Sequence, residues 1–429
     1  MKIAVIGTGI SGLVAARGIS AEHDVEVFEA DDRIGGHTHT HRVPSAAGEI
    51  SVDTGFIVFN RRTYPHFDAM LDGLGVASRA ADMSFSLSCR RTGLEWSGRS
   101  VNTLFAQRRN LFRPWFLRMM ADALRFQRES PRLLEEADGE LPLRTWLVQN
   151  DYSPQFIASF LVPLGAAIWS ATPAAMSEMP ARFFVRFFQN HGFLQLFDRP
   201  VWRTVLGGSE RYVERLVEPF RDRIHLRTGV RRIARLATGV VVVPHEGPPR
   251  HFDEVVIATH SDQALRLLAD PSEAERSVLG AIPYQENEAV LHTDESILPR
   301  LPRAWASWNY HVPGDPKRPV AVTYWMNHLQ GLNAPEQFCV TLNPSFAIRP
   351  ERVLRRITYH HPVFTLEGAA AQARWSEISG RNRTHYCGAY WRYGFHEDGM
   401  WSGLRVVEAL AARRERDAER DARVLAAAG

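Results

Sequence analysis

The sequence predicts an α/β protein of more than one domain, one of them built on a parallel sheet. Three observations lead there. The chain opens on a buried-strand pattern, Ile3-Ala4-Val5-Ile6, that runs into the glycine-rich turn Gly7-Thr8-Gly9-Ile10-Ser11-Gly12. A second apolar run, Val25-Glu26-Val27-Phe28, follows after a stretch of helical spacing and ends on an acid, Glu29. The 429 residues, 45% apolar and 23% charged, supply material for two or three domain-sized units. That composition excludes a largely disordered or collagen-like chain. The 51 basic and 48 acidic side chains leave a net charge of +3 without a block of one sign, so a dedicated nucleic-acid binder is not expected. Lysine occurs only at Lys2 and Lys317, which removes most options for lysine chemistry. Cys89, Cys339 and Cys387 are far apart and odd in number, a pattern of neither disulfides nor zinc, and fit a reducing compartment.

The first strand is apolar on both faces, as a buried parallel strand requires. Six residues before Gly7 are too few for the apolar core of a secretory signal, so a cytoplasmic protein is expected. Gly7 permits the tight turn, Gly9 lets a pyrophosphate approach the backbone, and Gly12 allows close helix–strand packing. Leu13 to Ile19 continues with helical spacing, and the helix N-terminus at Ile10 and Ser11 turns free N–H groups and a positive dipole end toward the phosphates. A second strand, Val25-Glu26-Val27-Phe28, ends at Glu29, 17 residues beyond Gly12 and placed to accept hydrogen bonds from a ribose diol. An acid there disfavours a 2′-phosphate. Together these form the whole strand–turn–helix–strand–acid unit of a dinucleotide site.

After Glu29 the chain reads Ala30-Asp31-Asp32-Arg33-Ile34-Gly35-Gly36-His37-Thr38. This resembles the E-A-x-x-R-x-G-G extension of the amine oxidase superfamily of flavoproteins, which includes monoamine oxidases, protoporphyrinogen oxidase and carotenoid desaturases. The resemblance implies FAD, with Ala30, Arg33, Gly35, Gly36, His37 and Thr38 along its adenosine and pyrophosphate; His37 stands where many members carry arginine. Val52-Asp53-Thr54-Gly55-Phe56 resembles the segment that passes near the flavin ring, which assigns Gly55 and Phe56 to the cofactor. Gly229-Val230-Arg231-Arg232-Ile233 resembles the strand whose valine backbone holds the adenine, and residues 252–259 resemble the strand that completes the sheet. At the far end Gly388 resembles the glycine brought to the flavin-side phosphate. Residues 394–403 resemble the segment opening the last helix, expected over 404–410, whose N-terminus, with Gly399 and Met400, faces the flavin pyrimidine edge. The implied fold is a Rossmann-type FAD-binding domain (1–60, 205–270 and 380–412) with a discontinuous α+β substrate domain (61–204 and 271–379), the amine oxidase-like two-domain arrangement, and a helical tail at 413–429.

Within that superfamily the stretches Ala166-Ala167-Ile168-Trp169-Ser170, Ala181-Arg182-Phe183-Phe184 and Ala258-Thr259-His260-Ser261 look like a bacterial group of NAD/FAD-binding proteins. Their genes often lie beside those for cyclopropane-fatty-acyl-phospholipid synthases, and one member is implicated in desaturating methyl-branched acyl chains on the way to furan fatty acids. The resemblance implies a lipid substrate and a methyltransferase-type partner enzyme.

The remaining chain adds several expectations. No second glycine fingerprint is present for NAD(P)H, which favours an oxidase or a dehydrogenase with an external acceptor. Residues 152–177 carry no charge, but Pro154, Pro163, Gly165 and Pro173 break them into short helices expected to line an apolar cavity and not to span a bilayer. Between Leu104 and Arg132 the apolar residues Leu111, Phe112, Trp115, Phe116, Met119, Ala123 and Leu124 recur near helical period, interleaved with arginines. Two readings fit, an amphipathic helix packed on the core or one lying on the inner face of an anionic membrane as a peripheral contact. His37, His39 and His41 alternate as on one strand face without partners at ligand spacing, so no metal is expected. His360-His361 reads as a turn. No nucleophile elbow is present.

The flavin would take a hydride from a carbon held beside it. Substrate contacts are expected from Trp169, Tyr324, Trp325, Asn327, Tyr390, Trp391 and Phe395, with Phe395 where amine oxidases carry a tyrosine of their aromatic cage. His396 and Glu397 are the titratable candidates for moving a proton. The lysine many amine oxidases place near the flavin has no counterpart unless Lys317 serves, and Lys317 lies in what reads as an exposed loop. The expected function is an FAD-dependent desaturase of an unsaturated or methyl-branched fatty acyl chain. An amine or amino-acid oxidase and a flavin-binding, lipid-presenting accessory protein are the alternatives. The sequence leaves the oligomeric state open.

Overall fold

The computed structural model describes residues 1–89, 91–135, 141–195, 199–312, 321–344 and 346–428. Lys317 therefore lies outside the described residues.

The apolar run at the N-terminus forms the strand Lys2–Ile6 at the centre of a five-stranded sheet. Its neighbours are Asp24–Phe28 on one side and Glu254–Ile257 on the other, with Ile224–His225 and Thr384–Tyr386 at the edges, all parallel. Ile3, Val5, Val25, Val27, Val255 and Val256 are completely buried, which is why these strands are apolar on both faces. The stretch 252–259 divides: Arg250–Phe252 closes an antiparallel three-stranded layer with Val230–Leu236 and Gly239–Pro244, and only Glu254–Ile257 enters the parallel sheet.

One face of that sheet carries the helix Ile10–Ile19, and the C-terminal helix packs against it. The contact is close because glycines form it. A Cβ on Gly403 would lie 2.5 Å from the Ser11 carbonyl oxygen, and one on Gly18 would lie 2.6 Å from Val407. These glycines do not end the last helix. It starts at His396, earlier than expected, and continues to Ala428 as one element with the tail. Asp398 supports this start by accepting the Phe395 N–H at 2.9 Å, the return half of a capping box.

The second layer is a seven-stranded sheet in the order Val353–Pro362, Tyr284–His292, Cys339–Leu342, Ala321–Trp325, Trp308–His311, Phe85–Cys89, Leu94–Ser97. It is antiparallel except where Trp308–His311 meets Phe85–Cys89. His360 and His361 are strand residues here, not a turn, because they pair with Glu286 and Gln285. Helices that include Leu143–Gln149, Val162–Trp169 and Ala181–Asn190 bury Leu147, Ala166, Phe184 and Phe187 in a common core with this sheet.

Of two apolar stretches read from the sequence, one breaks as expected and one changes form. The apolar stretch 152–177 breaks into Pro154–Phe156, a π-turn Ile157–Leu161, Val162–Trp169 and Pro173–Glu178. Among the described residues no helix is long and apolar enough to cross a membrane. The expected continuous helix over 104–132 is interrupted. Val101–Leu104 is followed by a 3₁₀ turn, Arg108–Phe112, and Pro114 begins the helix Pro114–Glu129. Proline is well placed there, since the first turn lacks N–H partners in any case. Phe116, Met119 and Phe126 are buried, whereas Phe112 and Leu124, expected on the same apolar face, point to solvent.

Candidate functional site

A cavity of about 1310 Å³ runs between the parallel sheet and the seven-stranded sheet. It exceeds the ~300–1,000 Å³ common for one small ligand, and its two ends differ in chemistry.

The first end is built by the glycine turn and the loop after the second strand. Gly7 adopts φ +103°, closed to most side chains, and its missing Cβ would sit 3.1 Å from the Ala258 carbonyl oxygen. Gly35 and Gly36 also have positive φ, and Arg33 ties their loop by donating to the Thr38 carbonyl at 2.9 Å and the Gly36 carbonyl at 2.6 Å. Gly12 does not line the cavity; a Cβ there would lie 2.1 Å from the Gly7 oxygen, so this glycine serves packing. Gly9 is the opposite case. A Cβ on it would meet nothing within 4 Å, so the start of the helix Ile10–Ile19 is open to the cavity. Glu29 lines the same end, with its carboxylate already accepting the Thr8 N–H at 2.9 Å and the Asp31 N–H at 2.9 Å. Ala30 and Val230 complete the wall. This cradle of open backbone N–H groups, a ribose-side acid and a hydrophobic rest for a base fits the FAD dinucleotide.

Toward the middle, Gly388, Gly55 and Phe56 line the cavity. A Cβ on Gly55 would lie 2.1 Å from the His37 carbonyl oxygen, so this segment passes close under the histidine loop. Phe56 stacks on His396 with centroids 3.7 Å apart. His396 opens the C-terminal helix, lines the cavity and engages the Tyr212 hydroxyl through Nε2 at 2.6 Å; Tyr212 in turn meets the Thr38 hydroxyl. Thr38 thus acts from behind the wall. Burial, with a smaller contribution from His37, holds His396 down to about 3, so it is a neutral imidazole.

Several residues singled out for the site lie elsewhere. Glu397 does not reach the cavity. Its carboxylate accepts the backbone N–H groups of His66 at 3.1 Å and Phe67 at 3.0 Å, so it caps the helix Pro65–Leu74 from a distant part of the chain. Gly399 and Met400 are covered by packing, and a Cβ on Gly399 would lie 2.7 Å from Ile10. Trp325 donates to Gln337 at 2.7 Å and stacks on His328, while Asn327 accepts the Phe338 N–H at 2.7 Å and donates to the Glu336 carbonyl. Strand alternation explains the first: Tyr324 lines the cavity, so its neighbour Trp325 must face away. Trp391 is buried beside Tyr390, and only Tyr390 lines the wall.

The second end is aromatic. Trp169 and Phe395 line it with Phe187, Tyr393, Trp308 and Tyr324. Phe187 stacks on Phe395 at 4.9 Å and meets Trp169 at 4.5 Å, and Trp169 is fixed by donating to the Tyr393 carbonyl at 3.2 Å.

A belt of histidines and tyrosines joins the ends; of its members the sequence singled out His37 and missed Tyr359, His361, His260 and Tyr284. His37 stacks on Tyr359 at 5.1 Å and approaches His361 at 5.3 Å, and His260 stacks on Tyr284 at 4.3 Å. Burial lowers His37 to about 4 and His260 and His361 to about 3, so the belt is uncharged near neutrality. His39 and His41 contact each other at 4.0 Å, and the strand begins only at Thr40, so His37 leaves the row. Among the described residues no group of His, Cys, Asp or Glu is arranged to hold a metal ion.

Comparison with known proteins places this geometry in context. The model of a family described as flavin containing amine oxidoreductase matches residues 10–301. A 42-residue stretch is 55% identical to the flavin-dependent L-tryptophan oxidase RebO of Lentzea aerocolonigenes, covering 10% of this chain and 9% of that protein. Cyclohexylamine oxidase from Brevibacterium oxydans IH-35A superposes with a TM-score of 0.70 at 15% identity, over 96% of this chain and 99% of its own. Wild-type putrescine oxidase gives 0.69 at 15%, over 96% and 99%. The CLA-producing fatty acid isomerase from P. acnes gives 0.67 at 16%, over 95% and 98%. At these identities the likeness is one of fold.

Proposed function

The chain belongs to the flavin-containing amine oxidoreductase family and is an FAD-dependent oxidoreductase, and from that premise we propose that it acts on the hydrocarbon of an unsaturated fatty acyl chain, as a desaturase, and not on an amine. The make-up of the aromatic end carries this reading. The acids that line the cavity, Glu29, Asp31 and Asp32, all belong to the loop at the dinucleotide end. An ammonium group entering the aromatic end would meet rings but no counter-ion among the described residues, whereas an alkyl chain would bury its surface at ~25 cal/mol per Å².

When bound, FAD supplies the oxidation by accepting a hydride. The chain's own residues position and shield. Trp169, Phe187, Tyr324 and Phe395 hold the alkyl chain and exclude water. Phe395 keeps a wall without offering a hydroxyl. His396, neutral and fixed by Tyr212, enters as a hydrogen-bond partner and not as a strong base. A new double bond also requires a proton to leave the neighbouring carbon, and the neutral His396 imidazole is the group that would take it; so weak a base suffices only where loss of hydride leaves a stabilised cation, which points to an allylic position.

The test is anaerobic mixing of oxidised holoprotein with an unsaturated acyl phospholipid and, separately, with primary amines, following the visible flavin band. Bleaching by the acyl lipid with a new double bond in the product supports the reading. Bleaching by amines alone makes the chain an amine oxidase, and a flavin that none of them reduces makes it a lipid-presenting protein.

A further inference from the structure

The segment from Arg99 to Arg128 contains seven arginines and a single acid, Asp122. That acid is buried and already contacted by Arg118 and Arg125, each at 3.3 Å. Arg108, Arg109 and Arg113 bond only neutral groups: the Asn102 and Phe105 carbonyls and the Asn102 side chain, the Gly93 carbonyl, and the Asn110 side chain. Their positive charge is uncompensated among the described residues.

The same segment exposes large apolar side chains. Phe112 is 84% exposed, Val101 75% and Leu124 55%, with Leu111 and Leu117 also outward. In the helix Pro114–Glu129 the positions 117, 121, 124 and 128 share one stripe, opposite the buried Phe116, Met119 and Phe126. Leu117 and Leu124 thus face solvent with Arg128, and Phe112 stands just ahead of the helix. An ordinary solvated face would not leave this much apolar surface open.

We infer that this face docks on an anionic lipid bilayer, with Phe112, Leu117 and Leu124 entering the interface and the arginines meeting lipid headgroups. Arginine suits that position because its stem buries beside apolar neighbours while the guanidinium stays at the headgroup level. A second copy of the chain is the poorer occupant, since joining two such faces would set like charges together. The inference does not depend on which substrate the cavity takes.

The experiment is co-sedimentation of the FAD-loaded protein with vesicles of phosphatidylcholine alone and of phosphatidylcholine mixed equally with phosphatidylglycerol. The mixed vesicles should bind it, more weakly as salt rises, and the neutral ones should bind it far less. Arg108→Gln with Arg109→Gln should lower affinity for the mixed vesicles on the order of tenfold or more. Phe112→Ser with Leu124→Ser should also weaken binding, while Val201→Ser, an exposed apolar residue elsewhere, should not. Both double variants should keep the thermal midpoint and the flavin spectrum. Equal binding to both vesicles, binding to neither, affinity unchanged by both double variants, or a dimer dissolved by Phe112→Ser with Leu124→Ser would each overturn the inference.

Discussion

His191 gives the sharpest test of the buried-charge reasoning. It stands just past the helix Ala181–Asn190, 7% exposed, stacked on Phe187 at 3.9 Å, with Nδ1 3.1 Å from the Phe187 carbonyl oxygen. Burial lowers its pKa to about 4, against about 6.5 for a free imidazole. A base with a depressed folded-state pKa binds fewer protons folded than unfolded between those two values. Its contribution is therefore intact above pH 6.5 and is lost as pH falls through the window. From pH 7 to pH 5 the loss from this one group is about 2 kcal/mol. Asp53 and Asp398, raised by burial to about 6 and about 7, work in the opposite direction, so the net pH response of the whole protein mixes both signs. The difference between wild type and His191→Phe isolates the histidine. Phenylalanine keeps a ring against Phe187, and the Phe187 carbonyl retains the residue-191 N–H at 2.9 Å. Urea unfolding of both proteins at pH 7 and pH 5 should show the variant losing about 2 kcal/mol less than wild type over the two units. The same pH response in both would refute the claim that this imidazole is held neutral.

Three further outcomes follow from geometry. Gly9→Asp should fold normally, because space is open there, yet purify colourless, because a carboxylate faces the phosphate cradle; yellow protein at normal FAD stoichiometry would contradict the placement. Glu275→Ala should cost about 3 kcal/mol in urea unfolding, since it leaves the buried Arg235 guanidinium with only the exposed Asp270 and strips the Tyr386 hydroxyl of its 2.6 Å acceptor. Glu397→Ala should lower stability by about 1 kcal/mol through loss of a helix cap, with flavin reduction rate unchanged at a temperature where the protein stays folded; a large rate loss would restore it to the chemistry.

The dinucleotide end was legible because each of its constraints acts locally. A strand apolar on both faces, three glycines at fixed spacing and an acid at Glu29 carry their meaning within about thirty residues. The breaking of 152–177 was legible for the same reason, since proline acts on its own turn. The aromatic end was only partly so. Tyr324 and Trp325 are equally aromatic, and strand parity, which depends on register with Cys339–Leu342 and Trp308–His311, decides that one lines the cavity and the other does not. The strand Val353–Pro362 was hidden because it lies at a sheet edge, where Arg355, Arg356 and His360 blur the alternation. The last helix starts earlier than the resemblance implies, and Gly399 and Gly403 lie within it, where they permit close approach to Ile10 and Ser11. Glu397 looked available for chemistry because sequence cannot show that His66 and Phe67 wait for it in space.

The parallel sheet takes its central strand from residues 2–6 and an edge strand from Thr384–Tyr386, almost 380 residues later, with the helix at His396 closing over Ile10. A ribosome therefore exposes the glycine turn long before it releases the segment that completes the grip. At ~5–20 residues per second that interval lasts about 20–80 s. During it the strand Glu254–Ile257, not Lys2–Ile6, lacks its outer neighbour, and Ile10 lacks the helix that covers it. A chain stopped short of Thr384 would leave the edge of Glu254–Ile257 unpaired and the helix Ile10–Ile19 uncovered, a target for chaperones and proteases.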